Sequence, residues 1–392
     1  MFGCAVPYLT GNGQNADVVC TGTEAADSSR DCATGYGRVL SSIEKIIAEI
    51  SVSPQQRALL QTAVVGLQRS VLSTAESGDR IPGIELPLGV YAAITGSDEA
   101  AVSLAAACAL VCLSVSLFDD LADGDRQSHW AGYSAGEINL AAATMLSTLP
   151  PLILARLDLT PLRRLRMQQI LAEGLLRISA GQQVDLALTG THEVSVAEVE
   201  AAVIGKTGER FATYCRLAAE MAGATPKMMA DCAAFGREIG VARQLISDCH
   251  ELLIDPECRD ITHGTRTMPI VAHINRLSGA DRSRFLDLLD RARTDRRAEQ
   301  SVRQELREAD EISRVIFRAR LHYGRARAIV DRLGAHQSGR ARLLRLASPG
   351  AGEIAAAGAV YRETDFGLRL DQSRSRKEAH NRRTICLTTS SP

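Results

Sequence analysis

Aromatic residues are scarce in this chain: Phe, Trp and Tyr together make up 4% of its 392 residues. Proteins that bind single-stranded nucleic acid stack its bases on aromatic rings, and proteins that bind duplexes carry an excess of positive charge. Neither feature is present, because 45 Lys and Arg residues are offset by 46 Asp and Glu residues, for a formal net charge of −1. We therefore expect no nucleic acid among the partners of this protein.

The sequence also lacks the alternation of apolar and polar residues that is typical of β-strands. Apolar residues recur instead at helical spacing, as in Leu40, Ile43, Ile47 and Ile50. Hydrophobic residues make up 45% of the chain, and they are mostly Ala, Leu, Ile and Val, which suit packed helices. The sequence therefore predicts an all-α fold.

The predicted helices run from Tyr36 to about Ala347. Ser53 followed by Pro54 predicts a helix start, with a capping hydroxyl and a proline at the first helical position. Residues 78–87 are predicted to form a loop. Further helices are predicted over residues 138–157, 161–188, 196–222, 227–253, 270–277, 281–294 and 299–334.

Both ends of the chain lack helical periodicity. Residues 1–34 are rich in Gly, Asn, Asp, Ser and Thr, and we expect a disordered arm there. Residues 350–392 follow a Pro-Gly break and contain a basic cluster, for which we expect a disordered, solvated tail. A membrane-surface or partner-binding arm is the alternative for this tail. One helical domain, residues 35–349, is expected between the two ends.

The ten cysteines form no C-x-x-C pair. Cys108 and Cys112 lie one helical turn apart in an apolar run, which indicates core packing. The N-terminus lacks the charged and then apolar pattern of a signal peptide. We therefore expect free thiols in a reducing, cytoplasmic compartment.

One uncharged run, residues 100–118, is about as long as a membrane-spanning helix requires. It is rich in Ala, Ser and Cys, and it leads directly into Asp119 and Asp120. We interpret it as the buried central helix of a large bundle and predict no transmembrane segment.

The end of this apolar helix carries the first acidic motif, Asp119-Asp120-Leu-Ala-Asp123. The carboxylates of Asp119 and Asp123 are four residues apart and share one helix face, where like charges repel each other. Bridging cations would remove this cost, and carboxylates that leave positions open for phosphate oxygens are typical of Mg²⁺ sites. A solvated helix end is the alternative interpretation.

A second acidic stripe lies more than a hundred residues further along. Ser247, Glu251 and Asp255 recur every four residues, and Asp248 flanks them. Two such stripes could hold Mg²⁺ ions against a diphosphate and stabilise it as a leaving group. A solvated helix face is again the alternative.

Together with three further motifs, these stripes resemble the trans-polyprenyl diphosphate synthase (polyprenyl synthetase) family over residues 36–346. The motifs follow in the family's order: Asp119-Asp120-x-x-Asp123, Gly181-Gln182-x-x-Asp185, Lys206-Thr207-Gly208, Gln244 with Asp248-x-x-Glu251, and Asp260-Ile-x-x-Gly264-x-x-Thr267.

This resemblance implies a single all-α bundle of the class I isoprenoid synthase type, with an active-site cavity between helices and a homodimeric assembly. It implies an allylic prenyl diphosphate as the substrate and three Mg²⁺ ions as the cofactor. The catalytic residues would be Asp119, Asp120, Asp123, Lys206 and Asp248. The metal ligands would be Asp119, Asp120, Asp123, Ser247, Asp248, Glu251 and Asp255. The substrate would be bound by Arg80, Val115, Gln182, Asp185, Lys206, Thr207, Gln244 and Arg266.

The sequence departs from the family where the second substrate, isopentenyl diphosphate, is bound by basic residues. Asp79 replaces a usual lysine, Cys112 replaces a histidine, and Ser128-His129-Trp130 replaces Arg-Arg-Gly, so that Arg80 alone is kept. The second acidic motif begins with Ser247 where the family has aspartate. The lysine that the family carries two residues before Thr267 is replaced by Thr265.

The motifs for the allylic diphosphate are largely kept, whereas those for isopentenyl diphosphate are largely lost. This combination favours a terpene synthase or cyclase. Prenyl transfer to an unusual acceptor and ordinary chain elongation are the alternatives. A non-catalytic partner subunit is a further alternative. The intact Asp119–Asp123 motif and Lys206 argue against it.

The helix before Asp119 also bears on substrate length. Stepping back by helical turns, the cavity should be lined by Val115, then Val111 or Cys112, then Cys108, with Ser114 beside Val115. In the resembling family a bulky aromatic residue here limits chain length. Because these side chains are small or medium, we expect a deep cavity and a C15 or C20 substrate, with C20 favoured. The alternative is that the small residues only allow close helix packing.

Overall fold

The computed structural model describes residues 24–77, 80–124, 127–254 and 258–349, and every regular element in them is helical. The first eight helices are α1 Glu24–Ile50, α2 Pro54–Ser77, α3 Pro82–Thr95, α4 Val102–Asp123, α5 Ala135–Ala143, α6 Leu149–Ala155, α7 Pro161–Leu188 and α8 Val196–Val203. The remaining helices are α9 Glu209–Met221, α10 Pro226–Leu253, α11 Arg259–His263, α12 Met268–Arg276, α13 Gly279–Ala292, α14 Arg296–Glu308, α15 Glu311–Arg332 and α16 Gln337–Leu346. The predicted all-α class is confirmed.

Helix α4 lies at the centre of the bundle, and its two sides belong to two adjacent hydrophobic cores. One core joins α4 to α1, α2, α5 and α6, and the other joins it to α3, α9 and α10 and, beyond them, to α15. Its small side chains, such as Ala105 and Ala109, are fully buried. This close packing on both sides positions Asp119 at the inner end of the helix.

Several helix starts were readable from the sequence. The Ser53 hydroxyl accepts a hydrogen bond from the Gln56 backbone N–H at 3.1 Å, as predicted for the cap of α2. Ser134 and Ser195 each form a reciprocal capping box that starts α5 and α8. These caps satisfy backbone N–H groups that have no partner inside the helix.

Two long predicted helices are interrupted by π-helical turns. The helix predicted over 138–157 contains a π turn at Thr144–Thr148, just before Pro150 and Pro151. The helix predicted over 196–222 contains another at Ile204–Gly208. Hydrophobic periodicity does not reveal such turns, because one extra residue shifts the apolar face by only part of a turn.

Three other boundaries were predicted wrongly. The helix predicted over 299–334 is divided between α14 and α15, where Asp310 adopts a left-handed conformation with φ of 59°. The loop predicted over 78–87 is shorter, because α3 begins at Pro82 and continues through Pro87. Helix α1 begins at Glu24, inside the predicted N-terminal arm. Residues 1–23 and 350–392 lie outside the described residues, so the disorder predicted for them remains a prediction.

Two helical segments are long and apolar enough to cross a membrane by length and composition alone. In Glu99–Ala122, which contains α4, 67% of the apolar window is buried inside the protein, as expected of a central helix. In Ala135–Ala155, which contains α5 and α6, only 44% is buried. On the second segment Leu140 is the large apolar side chain that is most exposed, at 62%.

An ion-pair cluster around Arg342 joins the C-terminal helix to the start of the bundle. Its guanidinium contacts the buried Glu85 carboxylate on α3 at 3.1 Å and Asp98 at 2.8 Å. Arg38 on α1 binds the same Asp98 at 2.9 Å. Gly339 allows this docking, since a Cβ atom there would lie 2.0 Å from the Ala93 backbone nitrogen.

We expect Arg342→Met to lower the free energy of unfolding by about 3–5 kcal/mol, because Glu85 would remain buried without a compensating charge. Urea denaturation followed by circular dichroism measures this loss. Arg340→Met on the same helix is the matched control, because its ion pair with Asp331 is exposed and is expected to contribute less than about 1 kcal/mol. Equal losses in the two variants would contradict this role for Arg342.

Candidate active site

Asp119 is the most deeply buried carboxylate at the end of α4, with 6% of its surface exposed. Its Oδ1 accepts a hydrogen bond from Gln182 Nε2 on α7 at 3.2 Å, while its buried Oδ2 has no hydrogen-bond partner among the described residues. Asp120 Oδ2 instead accepts a hydrogen bond from Gln127 at 2.9 Å. The side chain of Asp123 lies outside the described residues. One oxygen of Asp119 is thus buried and ready for a cation.

Lys206 lies on the π turn between α8 and α9 and is 4% exposed. Its Nζ donates to Asp185 Oδ2 on α7 at 2.7 Å. Gly181 and Gly205 make this contact possible, because a Cβ atom on Gly181 would lie 2.3 Å from the backbone of Gly205. The two glycines therefore bring α7 against the turn that directs Lys206 inward.

Helix α10 contributes the third side of the site. Thr207 donates to Gln244 Oε1 at 3.0 Å, and Gln244 Nε2 donates to Asp248 Oδ1 at 2.7 Å. Gly240 lies one turn earlier, where a Cβ atom would approach the Thr207 carbonyl oxygen to 2.6 Å. The predicted residues Thr207, Gln244 and Asp248 therefore form one hydrogen-bonded chain beside Lys206.

The carboxylates of this site shift each other's pKa. Burial raises the pKa of Asp248 to about 7, and the nearby charges of Asp185 and Glu251 act in the same direction. Burial, followed by Glu251 and Asp248, holds the pKa of Asp260 well above its usual range. Glu251 also accepts the Asp260 backbone N–H at 2.7 Å. Four carboxylates around one lysine leave an excess of negative charge that cations would neutralise.

Asp260 begins the last of the five motifs, and no role was predicted for it. It is 3% exposed and lines the cleft together with Asp185, Lys206 and Asp248. Asp260 follows the end of α10. The sequence therefore did not show which way its side chain points, because the pattern of helix faces applies only within one helix. Only the packing of α11 against α10 brings it to the site.

The rim of the cleft is formed by Thr265, Arg266 and Thr267. Arg266 is buried, and its guanidinium donates to the backbone carbonyls of Thr191 at 2.6 Å and Gly264 at 3.3 Å. Burial lowers the pKa of Arg266. Thr267 Oγ1 is buried and has no partner among the described residues. The predicted contribution of Arg266 is therefore partly structural, while Thr267 offers a free hydroxyl to the cleft.

Not every predicted residue reaches this cleft. Ser247 is exposed and is not among the described residues that line the cleft. Arg80 is half-buried and is not among the described residues that line the cleft. Asp255 and Asp79 lie outside the described residues. The roles predicted for Ser247, Arg80 and Asp255 remain predictions.

Two of the residues predicted to line a deep cavity along α4 contact neighbouring helices. Cys112 packs against Gly83 on α3, and Cys108 lies close enough to Cys215 on α9 to help raise the pKa of that thiol. Ser114 was wrongly placed beside Val115, because its hydroxyl is buried and donates to the Ala142 carbonyl oxygen at 2.6 Å. Val115 remains half-buried. These contacts are those expected if the small residues allow close helix packing, and the deep cavity along α4 remains a prediction.

A basic residue that the motifs had not revealed lies where the family's Arg-Arg-Gly would be. Arg69 on α2 donates to Ser128 Oγ at 3.3 Å. Burial and this arginine lower the pKa of His129, whose ring lies 3.5 Å from a Cβ atom built on Gly66. Trp130 is buried in the core and meets Tyr133 edge to face. Arg69 escaped the sequence analysis because only the tertiary packing of α2 brings it to this segment.

The donor set of the site fits a hard divalent cation. The side-chain oxygens that line the cleft belong mainly to carboxylates, which Mg²⁺ prefers, although no group of three or more His, Cys, Asp or Glu side chains among the described residues is arranged to hold a metal ion by itself. The unpartnered Asp119 Oδ2 and the raised pKa of Asp248 both indicate that positive charge is needed. Asp119 and Asp248 are the described residues best placed to bind it.

Comparison with known proteins agrees with this geometry. The polyprenyl synthetase family model matches residues 78–306, which is more than half of the chain and includes every described residue of the cleft. The chain belongs to the polyprenyl synthetase family. The predicted fold type and family are thereby confirmed.

Two curated relatives are similar to parts of this polyprenyl synthetase. A geranylgeranyl diphosphate synthase of Mycobacterium tuberculosis is 30% identical over 209 residues, which cover 49% of this chain and 58% of the relative. A short chain isoprenyl diphosphate synthase of Methanothermobacter thermautotrophicus is 27% identical over 126 residues, 31% of this chain and 39% of the relative. The chain thus spans about half the length of the curated relatives it matches.

Solved structures extend the likeness in fold to most of the chain. A geranylgeranyl pyrophosphate synthetase of Pyrococcus horikoshii has a TM-score of 0.70 at 18% identity, covering 86% of this chain and 99% of its own. A polyprenyl synthase of Caulobacter crescentus, complexed with calcium and isoprenyl diphosphate, has a TM-score of 0.68 at 18% identity, covering 84% and 96%. At these identities the likeness shows the fold alone.

Proposed function

We propose that this protein is a Mg²⁺-dependent prenyltransferase that ionises an allylic prenyl diphosphate of C15 or C20 and joins the prenyl group to isopentenyl diphosphate. The carrying observation is the buried cleft in which Lys206 meets the carboxylates of Asp185, Asp248 and Asp260, next to the unpartnered oxygen of Asp119. The terpene cyclase that the sequence favoured finds no support among the relatives, which are named as diphosphate synthases.

Asp119, Asp120, Asp123 and Asp248, with Glu251, would hold the Mg²⁺, in three ions. Bound there, Mg²⁺ would supply the positive charge that stabilises departing diphosphate. Lys206 would add a fixed cation on the opposite wall, held in place by Asp185. Gln182 and Gln244 orient Asp119 and Asp248 through one hydrogen bond each, so the carboxylates need not reorganise during ionisation.

The chain elsewhere keeps water away from the allylic cation. The inner wall of the cleft contains Val199 and Val203, and α9 and α10 close it with apolar side chains. An apolar surround suppresses capture of the cation by water. The double bond of isopentenyl diphosphate would attack the allylic cation and form the new carbon–carbon bond. Transfer of a proton from the resulting cation to the released diphosphate would complete the reaction.

The acceptor diphosphate would lie at the segment that Arg69 contacts. Arg69 and His129 are both at the Ser128 segment, and Arg80 precedes α3. Arginines can bind a diphosphate by charge-assisted hydrogen bonds, and His129, whose pKa is lowered, can donate a hydrogen bond as a neutral ring. Arg69 thus partly replaces the positive charge that the family carries at the positions of Asp79 and Ser128.

Cyclisation of the allylic cation is the second candidate, favoured by one specific observation. The buried Trp130 and the packed Cys112 occupy positions where the family carries a glycine and a histidine. An acceptor site weakened in this way would leave the cation to react within itself. The two candidates share the ionisation site and differ only in their use of a second diphosphate.

Purified protein incubated with C10, C15 or C20 allylic diphosphate, with and without isopentenyl diphosphate, tests these proposals. Elongated diphosphate that forms only with isopentenyl diphosphate supports the proposed transfer. A hydrocarbon or alcohol formed without it supports cyclisation. Turnover that needs a different acceptor would identify an unusual prenyltransferase, and no Mg²⁺-dependent diphosphate release at all would indicate a non-catalytic subunit.

We expect Arg69→Ala to raise the KM for isopentenyl diphosphate about tenfold, because one charge-assisted hydrogen bond contributes about 1.5–3 kcal/mol. The KM for the allylic diphosphate should stay unchanged. Initial rates at varied concentrations of each substrate measure both values. Arg57→Ala on the same helix is the control, since Arg57 caps the Ala48 carbonyl oxygen and lies away from Ser128. An unchanged KM in the Arg69 variant would place the acceptor elsewhere.

The homodimer implied by the family is also proposed here. Helix α7 exposes Leu162, Leu165, Leu176 and Leu186, with Leu176 71% exposed. They lie on a stripe of three- and four-residue spacing that contains no charged residue. An uncharged face of this kind along a long helix suits pairing with a second copy of the chain.

Leu165→Glu combined with Leu176→Glu is expected to convert the dimer into a monomer, because four charges would be buried without partners across a twofold interface. Light scattering after size exclusion measures the mass. Val52→Glu is the control, since Val52 is also strongly exposed, at 89%, but lies between α1 and α2. A wild-type protein that is monomeric at micromolar concentration would refute the proposed dimer.

A further inference from the structure

The outward face of α15 is unusually basic. Between Glu311 and Asp331 this helix contains five arginines and no acidic residue. The five are Arg314, Arg318, Arg320, Arg325 and Arg327. This helix stands out because the chain as a whole has a formal net charge of −1.

Two large apolar side chains are exposed among these arginines. Phe317 is 56% exposed and Leu321 is 46% exposed. They are four residues apart and therefore neighbours on one helix face. The opposite side of α15 is buried against α10, with Ile312, Val315 and Ile316 almost fully covered. The inner side of α15 is thus fully packed within the protein, whereas its outer side presents both basic and apolar side chains.

The arginines on this face are only partly neutralised. Arg325 lies 3.9 Å from Glu238, and Arg332, at the end of the helix, is paired with Asp231. Arg314 and Arg327 are exposed and face no carboxylate within ion-pair distance among the described residues. A positive surface with exposed apolar side chains therefore remains.

This face is continuous with the wall of the candidate active site. Arg318 Nη1 lies 3.5 Å from Met268 Sδ, and Met268 directly follows Thr267 at the rim of the cleft. A partner that binds along the outer face of α15 would therefore lie close to the rim of the cleft, separated from it by the side chain of Arg318.

From the arginines and the two apolar residues we propose that the outer face of α15 docks on an anionic phospholipid surface. Arginines gain from the negative surface potential of such a membrane, and Phe317 and Leu321 can enter the boundary between headgroups and acyl chains. An acidic protein or a nucleic acid would account for the arginines alone. Docking would place the cleft near the bilayer, into which long prenyl chains partition. This advantage for the substrate rests on the proposed function, whereas the docking itself does not.

Co-sedimentation of the full chain with vesicles of phosphatidylcholine, with and without phosphatidylserine, tests the proposal. Binding is expected only with phosphatidylserine. Arg314→Glu combined with Arg327→Glu is expected to weaken it at least about tenfold, because each arginine near the surface contributes about 1 kcal/mol. Phe317→Ser combined with Leu321→Ser should remove the part of the binding that persists in high salt.

Arg291→Glu combined with Arg296→Glu is the matched control, because it makes the same charge change on exposed positions of α13 and α14. This control should bind as the wild type does. Equal weakening in both charge variants, equal binding to uncharged vesicles, no vesicle binding, or binding to RNA alone would each overturn the proposal. Activity on short-chain diphosphates without vesicles should be unchanged in the α15 variants, so that failure of the proposed function and failure of docking can be told apart.

Discussion

Replacing Asp119 and Asp123 together with alanine is expected to reduce turnover of an allylic diphosphate at least about 10³-fold. Mutational losses of this size follow the removal of groups that stabilise charge developing in the transition state. Asp119 is suited to this role because it is buried and one of its oxygens has no partner among the described residues. Mg²⁺-dependent release of diphosphate is the measurement.

The same variant is expected to stay folded. Removing two carboxylates four residues apart on α4 relieves like-charge repulsion, so the thermal midpoint should be unchanged or higher. Asp287→Ala, at an exposed position of α13, is the control for general effects of losing a carboxylate. Undiminished Mg²⁺-dependent turnover in the double variant would rule out the proposed metal site, whereas a lost fold would show that Asp119 has a structural role.

Gly181→Ala is expected to reduce turnover about 100-fold or more and also to destabilise the fold. A Cβ atom at this position would lie 2.3 Å from the carbonyl carbon of Gly205 and from the nitrogen of Lys206. These are backbone atoms and cannot rotate away, so the π turn must shift relative to α7. Misplacement of a catalytic group by about 1 Å can cost about 10²-fold in rate.

Two measurements separate the positioning role of Gly181 from general destabilisation. The KM for the allylic diphosphate should rise as kcat falls, because Lys206 would no longer meet Asp185 in the same place. Gly37→Ala on α1, where a Cβ atom meets nothing within 4 Å, is the control and should be neutral or stabilising by up to about 1 kcal/mol. A Gly181 variant with wild-type kinetics and stability would contradict the close contact of α7 with the turn.

The sequence alone determined the helical class and indicated most residues of the candidate site. Helical spacing of apolar residues is a local property, so it predicted α7 over residues 161–188 with both ends correct. Motif order likewise selected Gln182, Lys206, Thr207, Gln244 and Asp248. Of these, Lys206, Gln244 and Asp248 line the described cleft, whereas Thr207 binds Gln244 and Gln182 binds Asp119. Residue type and spacing suffice for these features because each depends on a single helix or on a short motif.

Tertiary structure alone decided the features that depend on two or more elements. The π turn at Ile204–Gly208 follows from the meeting of backbones at Gly181 and Gly205, which no periodicity reveals. Asp260 and Arg69 reach their sites only through packing of one helix against another. Ser114 turned towards α5 rather than towards Val115, because a buried hydroxyl requires a hydrogen-bond acceptor. The sequence states which groups are present, but the direction of each side chain depends on neighbours that are distant along the chain.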